Sequence, residues 1–436
     1  MRPLGEVLET VVIDRGGAPL HFVLAHGAFW IDPSADALRW LSVLAAVAAV
    51  PLCYDLARRL GGRGAGVVAA AVAASSTALA VYGSFGRMYA LFVLVAALFA
   101  DLFVRALQVR TTSAVAAAAA AGWLLPAVHP YGVIPAFVAV VAAVVSRRGI
   151  RLRTVWPVAV AAVATVPFIV ADLRLADRAA VGSGKNALAS PRQAWEELVS
   201  AVSSFAGGDG LPLVFFTALA LVGLAVAARR EPAFAALVAS TALPPLLFVL
   251  VRTESTPDLS PRHLFYALPL WAAAIGLGAA ALTARKVALA LVVLVAITSP
   301  ASALRDPREI GFATSAPGQG RAVRADGDDL LLPYSAVFLA SLPRLRGALA
   351  LPHAPGDEIL AALEHADEPI GSVYVAVPTP GWSVLVVEGP FTKAEAVSAA
   401  ARRLHEHAAT PGLENWFAWI EPGLCEALEE LGKPCP

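Results

Sequence analysis

The sequence predicts a multi-pass α-helical membrane bundle of about ten spans, followed by a soluble C-terminal α/β domain. Of the 436 residues, 58% are hydrophobic and 15% are charged, whereas soluble domains carry roughly a quarter charged residues. Residues 1–303 hold 23 Lys and Arg against 15 Asp and Glu, and residues 304–436 hold 10 against 18. A basic membrane region is therefore followed by an acidic, water-exposed one. The chain has no basic patch with interleaved aromatic residues, so it does not suggest a nucleic-acid partner.

Apolar runs long enough to cross a bilayer follow one another up to residue 303. A span needs about 20 residues, and fewer when it is short or tilted. His129-Pro130 predicts a tight hairpin between two spans, because proline removes a backbone donor and disfavours helix at the preceding residue. The predicted spans are 38–57, 64–83, 87–107, 112–128, 130–147, 153–171, 211–228, 233–251, 264–283 and 285–303.

Basic residues are concentrated in alternate connections between these spans. Short loops rich in Lys and Arg lie in the cytoplasm, so the intervening connections face the other side. The sequence thus predicts a plasma-membrane protein whose N-terminus and C-terminal domain are both extracytoplasmic. The five basic connections contain Arg58, Arg59 and Arg63; Arg105 and Arg110; Arg147, Arg148, Arg151 and Arg153; Arg229 and Arg230; and Arg285 with Lys286.

This topology divides the chain into three parts. Residues 1–37 form a first extracytoplasmic loop with an interfacial helix, and residues 38–303 form the transmembrane domain, with an extracytoplasmic loop at 172–210. Residues 304–436 form the extracytoplasmic α/β domain. Residues 1–37 contain no signal peptide, so an outside N-terminus predicts one more span upstream of Met1.

Within the C-terminal domain, alternating apolar residues predict strands and one amphipathic helix. The strands are Asp329–Tyr334, Ser372–Val377 and Ser383–Val387, and the helix is Lys393–His405. An accessory or acceptor-recognition role fits this domain better than a second active site. Cys425 and Cys435 either form a disulfide, if the tail is outside the cytoplasm, or stay as separate thiols. Cys53 lies in an apolar run and is expected to serve packing.

The first loop carries a carboxylate beside a histidine-bearing helix. Asp14 precedes Gly16-Gly17, which allow a sharp turn, and Pro19 fits the first turn of a helix. His26 lies on that helix, so Asp14 could act beside it as a general base on an acceptor hydroxyl. From the residues alone, a surface aspartate that precedes an interfacial helix is the better interpretation.

Three further polar residues lie at the predicted outer ends of spans. They are Arg87 in YGSFGRMYALF, His129 in AVHPYG and Arg262 in LSPRHLFYALP. The arginine fork suits phosphate oxygens, although each residue alone is more often an interfacial anchor. All three lie on the predicted extracytoplasmic side of the membrane, and this shared location is what indicates a functional site. Asp101 and Arg105, by contrast, have the i,i+4 spacing of a structural ion pair.

At these residues the chain resembles a known family. The segments GAPLHFVLAHGAFW, ALRWLSVLAAVAAVPLCYDLARRLGG, GRMYALFVLVAALFADLFVRAL, HPYG and PRHLFYALPLWA occur in the order seen in multi-pass GT-C-fold glycosyltransferases. The protein mannosyltransferase and aminoarabinose transferase relatives belong to this group. They move a sugar from a polyprenyl-phosphate carrier to an extracytoplasmic acceptor. The resemblance covers roughly residues 6–283.

The resemblance implies an inverting glycosyl transfer and assigns roles to seven residues. Asp14 would be catalytic, and a polyprenyl-phosphate-linked sugar would be the donor. A glycan, lipid or protein would be the acceptor, and the sequence leaves open whether a divalent metal takes part. The substrate-binding residues would be Arg87, Tyr89, His26, His129, Tyr131 and Arg262.

Two departures from the family pattern leave an alternative open. Family members carry an acidic pair after their first span, and Asp14 matches a second acidic position instead. The family's Glu-Ala-Arg-Met-Tyr is Phe85-Gly86-Arg87-Met88-Tyr89 here. The chain could thus be catalytically incomplete. The alternative is a non-catalytic membrane partner or a transporter of polysaccharide or carrier lipid.

Overall fold

The structure is a computed structural model, and it contains two compact units, Met1–Arg305 and Asp306–Pro436. In the first unit it describes residues 3–8, 18–32, 35–84, 86–145, 152–177, 191–205, 208, 210–250, 261–282 and 292–295. In the second it describes residues 330–332, 348–349, 356–364, 368–377, 383–408 and 414–435. Asp14 and most of the predicted span 285–303 lie outside these residues.

The described part of the first unit is helical. Its helices are α1 (Leu4–Leu8), α2 (Leu20–Ile31), α3 (Ala35–Ser75), α4 (Thr77–Gly83), α5 (Tyr89–Val109), α6 (Thr112–Val128), α7 (Val133–Val145), α8 (Leu152–Asp177), α9 (Pro191–Phe205), α10 (Leu211–Arg230), α11 (Pro232–Ala239), α12 (Leu243–Leu250) and α13 (Leu268–Leu282). Three 3₁₀ segments, Pro130–Gly132, Ser240–Ala242 and Pro261–Ala267, each lead into the next helix. Helix α9 lies within the predicted loop 172–210.

Helix α3 contains a reversal where the sequence predicts a loop between two spans. Gly62 has φ +85° and ψ −177°, a conformation that a residue with a side chain rarely adopts. Past this point Gly66 packs against the ring and carbonyl of Tyr54, and Gly83 of α4 packs against Ala46. The chain thus runs back along the first part of α3.

A second change of direction follows α6. His129 has extended backbone (φ −155°, ψ 135°) and Pro130 begins a 3₁₀ turn. Gly132 then packs so closely on the Leu125 backbone that a Cβ atom there would overlap it. The helix therefore ends at His129-Pro130, the dipeptide from which the sequence predicts a hairpin.

The core of the unit is α13, which packs against α3 on one side and α10 on the other. A Cβ atom on Gly278 would overlap the carbonyl oxygen of Leu219, and one on Gly223 would overlap that of Ala274. Gly276 approaches the Ala65 carbonyl in the same way. Because glycine has no side chain, the backbones of these helices approach each other closely, as is common between helices in membranes.

The ion pair of Asp101 differs from the predicted one. The Arg59 side chain on α3 donates to Asp101 on α5, and Asp101 is buried. Arg105, the predicted partner, is exposed. The contact between α3 and α5 therefore prevails over the local i,i+4 spacing, because a buried carboxylate needs a partner that reaches it inside the bundle.

Four helices among the described residues are long and apolar enough to cross a membrane. They are Ala37–Ser75, Tyr89–Val109, Leu211–Arg230 and Arg262–Leu282. Shorter apolar helices accompany them at Leu20–Ile31, Thr112–Val128, Pro130–Val145, Trp156–Val170 and Pro232–Leu246. Exposed apolar side chains along α8, among them Val160 and Val163, form a surface suited to lipid.

The second unit contains a four-stranded sheet in the order β2-β1-β3-β4. Its strands are β1 (Leu330–Leu332), β2 (Ala348–Leu349), β3 (Ile370–Val377) and β4 (Ser383–Phe391). Strand β1 is parallel to β2 and β3, and β4 is antiparallel to β3. Helices α14 (Gly356–Glu364), α15 (Lys393–Ala408) and α16 (Glu414–Glu430) complete the described part of the unit.

Two short-range features stabilise this unit. Thr392 and Glu395 form a capping box at the start of α15: the Thr392 N–H donates to Glu395 at 2.9 Å and the Glu395 N–H to the Thr392 hydroxyl at 3.3 Å. The first of these bonds lowers the pKa of Glu395. Cys425 and Cys435 are joined in a disulfide with a Cα–Cα separation of 5.1 Å, and Cys53 is free and buried.

We expect Gly278→Ala to destabilise the first unit by at least about 2 kcal/mol, because the added methyl group must separate α10 from α13. The measurement is the midpoint of thermal unfolding in detergent. Gly27→Ala is the matched control, since a Cβ atom at Gly27 meets nothing within 4 Å. Equal midpoints for the two variants would contradict the close helix contact.

The disulfide predicts the number of reactive thiols. Denatured but unreduced protein should react at one cysteine, Cys53, and reduced protein at three. Mass spectrometry after alkylation counts them directly. Three reactive thiols before reduction would show that the bond is absent.

Candidate functional site

Two arginines lie against the same tyrosine ring. Tyr89 is the first residue of α5 and is buried. The Cζ atom of Arg87 is 5.8 Å from the centroid of its ring, and that of Arg262 is 5.9 Å from it. Both distances allow a cation–π interaction. Residues far apart in the sequence thus converge where α5 and the 3₁₀ segment before α13 begin.

The two positive charges are not neutralised within the part of the chain that the structure describes. There, no Asp or Glu forms an ion pair with Arg87 or Arg262. The backbone carbonyl of Arg87 accepts a hydrogen bond from the Ser42 hydroxyl at 3.2 Å, which fixes the turn before α5. The Nε atom of Arg262 is buried and has no hydrogen-bond partner among the described residues. Such groups are costly to leave unpaired, so the site is suited to an anion.

An aromatic cluster supports the Tyr89 ring. Tyr82 of α4 contacts Tyr89 edge-to-face at 5.0 Å and Phe265 at 4.6 Å. Phe265 contacts Tyr89 at 6.2 Å. Aromatic pairs with this geometry contribute about 0.5–1.5 kcal/mol each beyond their buried area. The ring between the arginines is therefore held from two elements, α4 and the 3₁₀ segment.

His129 also lies beside Tyr89, with 6.0 Å between the ring centroids. It is buried and stacks on Phe92 at 4.8 Å. Its Nδ1 atom accepts a hydrogen bond from the Tyr131 N–H at 3.3 Å, so in the neutral imidazole Nε2 carries the proton and can donate. Tyr131 stacks on His263 at 5.0 Å, and His263 lies 5.6 Å from His129.

Helix α9 is fastened to this cluster at its C-terminal end. The Ser76 hydroxyl, fully buried, donates to the Ser204 carbonyl at 2.9 Å and accepts from the Leu79 N–H at 3.4 Å. Phe205, also buried, contacts Phe265 at 6.1 Å. One hydroxyl thus caps α4, which carries Tyr82, and holds α9, which carries Phe205.

The structure brings together five of the residues that the sequence singles out: Arg87, Tyr89, His129, Tyr131 and Arg262. Asp14 lies outside the described residues. His26 is half-buried on α2, and no contact in the described part of the chain joins it to the cluster, so its role stays a prediction. Sequence reasoning missed Tyr82, Phe265 and His263. All three lie within the sequence motifs that contain Arg87 and Arg262, and this proximity in sequence is the feature that could have identified them.

His21, rather than His26, is the buried histidine of α2. Its exposed fraction is 6%, and its Nδ1 atom has no hydrogen-bond partner among the described residues. At 12 residues, α2 is too short to cross a bilayer. Burial, and then the positive charge of Arg87, lower the pKa of His21 to about 4, so the imidazole is neutral at physiological pH.

The described residues contain no group of three or more His, Cys, Asp and Glu side chains that could hold a metal ion. Asp14 lies outside these residues. Within the described residues, the polar side chains of the cluster are guanidinium, imidazole and phenol groups.

One protein family matches the N-terminal third of the chain. It is described as dolichyl-phosphate-mannose-protein mannosyltransferase, and the match covers residues 17–171. This range includes Arg87, Tyr89, His129 and Tyr131 but not Arg262. No curated protein sequence matches the chain.

Thirteen chains of solved structures match the fold. Among them is the crystal structure of ArnT from Cupriavidus metallidurans bound to undecaprenyl phosphate, with a TM-score of 0.50 and 11% sequence identity. The match covers 86% of this chain and 89% of that one. The protein therefore has the GT-C fold of membrane glycosyltransferases, as its resemblance to that group implied, and it is a mostly helical membrane protein.

We expect Ser76→Ala to lower the stability of the first unit by about 2 kcal/mol, because it removes the cap of α4 and takes away the hydroxyl that donates to the Ser204 carbonyl. The midpoint of thermal unfolding in detergent measures the loss. Thr111→Ala is the matched control, since Thr111 caps α6 through the Ala114 N–H but is exposed. A loss no larger than that of the control would show that Ser76 does not fasten α9.

Proposed function

We propose that this GT-C-fold protein is a membrane glycosyltransferase. It moves a sugar from a polyprenyl-phosphate carrier to a hydroxyl group of an extracytoplasmic acceptor, with inversion at the anomeric carbon. The convergence of Arg87 and Arg262 on the Tyr89 ring carries this proposal. The fold and the family match at residues 17–171 support it.

The two guanidinium groups fit the group that leaves in such a reaction. The acceptor oxygen bonds to the anomeric carbon as the bond from that carbon to the phosphate oxygen breaks. The electron pair stays on the carrier phosphate, whose charge rises from about −1 to about −2. Fixed positive charges beside that oxygen favour the transition state over the ground state, because they interact most strongly with the developing charge.

Other residues of the cluster have narrower roles. The Nε2–H group of His129 is a neutral donor for a substrate oxygen, and Tyr89 fixes the distance between the two arginines. Tyr131, stacked on His263, forms part of the wall. In the proposed reaction the proton of the acceptor hydroxyl passes to a carboxylate, for which Asp14 is the candidate from the sequence. His26 remains a candidate for a more distant substrate contact.

The extracytoplasmic placing of the site rests on charge and on cysteine chemistry. The arginine-rich connections favour the cytoplasm, and the cluster lies at the opposite ends of the helices. The Cys425–Cys435 disulfide supports an oxidising compartment for the second unit, because such bonds persist outside the cytoplasm. We assign that unit an accessory role in acceptor recognition.

We expect Arg87→Ala to reduce sugar transfer by about 100-fold or more, since loss of one group that stabilises developing charge typically costs that much. Arg87→Lys should be intermediate, because it keeps the charge and loses the fork. The assay incubates membranes that contain the protein with radiolabelled mannosyl and glucosyl polyprenyl phosphates. It follows transfer of label and release of polyprenyl phosphate.

Arg105→Ala is the matched control, because Arg105 is exposed towards the C-terminal end of α5, away from the cluster. Wild-type transfer in Arg87→Ala would remove Arg87 from the site. Binding of the donor by the wild-type protein without any transfer would instead favour the non-catalytic partner or the transporter.

A further inference from the structure

The turn that carries Arg87 lies against the first two turns of α3. Gly86 has φ +71°, in the left-handed region that favours glycine. A Cβ atom on Gly86 would lie 3.4 Å from the Leu38 Cβ atom and 3.7 Å from the main-chain nitrogen of Arg39. The backbone of the turn therefore passes close to the start of α3.

A side chain of α3 bonds to the same turn. Ser42 lies one helical turn after Leu38, so the two residues share a face of α3. The Ser42 hydroxyl donates to the Arg87 carbonyl at 3.2 Å, although the two residues are 45 positions apart in the sequence. A serine inside a helix can instead bond to a carbonyl of its own helix. Ser42 is 2% exposed, so its hydroxyl serves a buried contact between two elements.

The main-chain bonds of α5 do not hold the Arg87 carbonyl. Helix α5 begins at Tyr89, and the bond before it runs from the Phe92 N–H to the Met88 carbonyl at 2.8 Å. Arg87 thus lies one residue outside the hydrogen-bonded helix. Within the part of the chain that the structure describes, Ser42 is the partner of its carbonyl.

The position of this carbonyl affects the guanidinium group. The Cζ atom of Arg87 is 5.8 Å from the centroid of the Tyr89 ring, and it lies at the end of a long, flexible side chain. A small rotation of the main chain at Arg87 is therefore a larger displacement at Cζ. Displacing a group that acts in catalysis by about 1 Å can cost on the order of 100-fold in rate.

We propose that Ser42 is a positioning residue for sugar transfer. Its bond to the Arg87 carbonyl fixes the main chain of the turn and thereby places the guanidinium group beside the Tyr89 ring. This inference rests on the proposed function, because it requires Arg87 to stabilise the leaving phosphate. Ser42 exchanges no proton in the reaction and acts only through the main chain of Arg87.

The test is sugar transfer in membranes that contain equal amounts of each full-length variant, with radiolabelled mannosyl and glucosyl polyprenyl phosphates as donors. Ser42→Ala should lower kcat about tenfold, since it releases the turn. The KM for the donor should stay within about twofold, because the guanidinium group interacts most strongly with the charge that develops in the transition state. An unchanged kcat in Ser42→Ala would overturn the inference.

Ser84→Ala is the matched control. Ser84 lies near the same turn, but it is exposed and its hydroxyl donates to the Val81 carbonyl of α4 at 2.9 Å. Its removal leaves the bond to the Arg87 carbonyl intact, so transfer should stay within about twofold of wild type. A loss in the control as large as in Ser42→Ala would show that the effect is not specific to the Arg87 turn, and the inference would fall.

A double-mutant cycle separates positioning from a general loss of stability. In the Arg87→Ala background there is no guanidinium group to place, so adding Ser42→Ala should lower transfer by less than about twofold. A hydroxyl that only stabilises the bundle would lower transfer by the same factor in both backgrounds. Equal factors would therefore refute the positioning role.

The outcomes also distinguish this inference from the proposed function. If the wild-type protein transfers sugar, Arg87→Ala does not, and Ser42→Ala equals wild type, the positioning role falls and the glycosyltransferase proposal stands. If the wild-type protein transfers no sugar from either donor, both fall.

Discussion

The candidate site depends on the attraction between two guanidinium groups and one aromatic ring. Arg87 and Arg262 would repel each other in a medium of low dielectric constant. Tyr89 lies close enough to both to offset part of that repulsion. A bound anion would offset the remaining repulsion between the two guanidinium groups. The site is therefore arranged in advance for negative charge, which is the condition for electrostatic stabilisation of a leaving phosphate.

The surrounding bundle keeps this arrangement in place. Close backbone packing at Gly223 and Gly278 fixes α10 against α13, the helix that follows Arg262. The ring contacts of Phe265 and the buried hydroxyl of Ser76 hold α4 and α9 around Tyr82. Each of these contacts joins segments distant in the sequence. The geometry at Tyr89 is thus a property of the whole unit and not of one motif.

Much of the helical framework was predictable because its signals are local. The predicted span 112–128 coincides with α6, and the break at His129-Pro130 follows from proline chemistry. The tertiary partners were not predictable. Asp101 has an acceptable partner at Arg105 by spacing, yet it pairs with Arg59 on another helix. Only the packing of α3 on α5 selects between them.

Local sequence patterns do not reveal tertiary contacts, and for this reason some site residues were not predicted from the sequence. Helix α2 is apolar on nearly all sides, so its pattern does not reveal that His21 is buried and His26 only half-buried. Tyr82 and Phe265 look like interfacial anchors, since aromatic residues collect at membrane surfaces. Their contact with each other appears only once distant helices are assembled. Arg87 and His129 were found because charge and proline context are visible in one stretch of sequence.

The distance in sequence between Arg87 and Arg262 has a consequence for biosynthesis. Arg87 emerges from the ribosome early, whereas Arg262 and Phe265 arrive only after most of the first unit has been made. Chains fold progressively from the N-terminus during synthesis. The anion site is therefore completed late, when the last ring closes on Tyr82 and Tyr89. A chain that stalls before that point has only one of the two guanidinium groups, and its Tyr82 and Tyr89 rings still lack their contacts with Phe265.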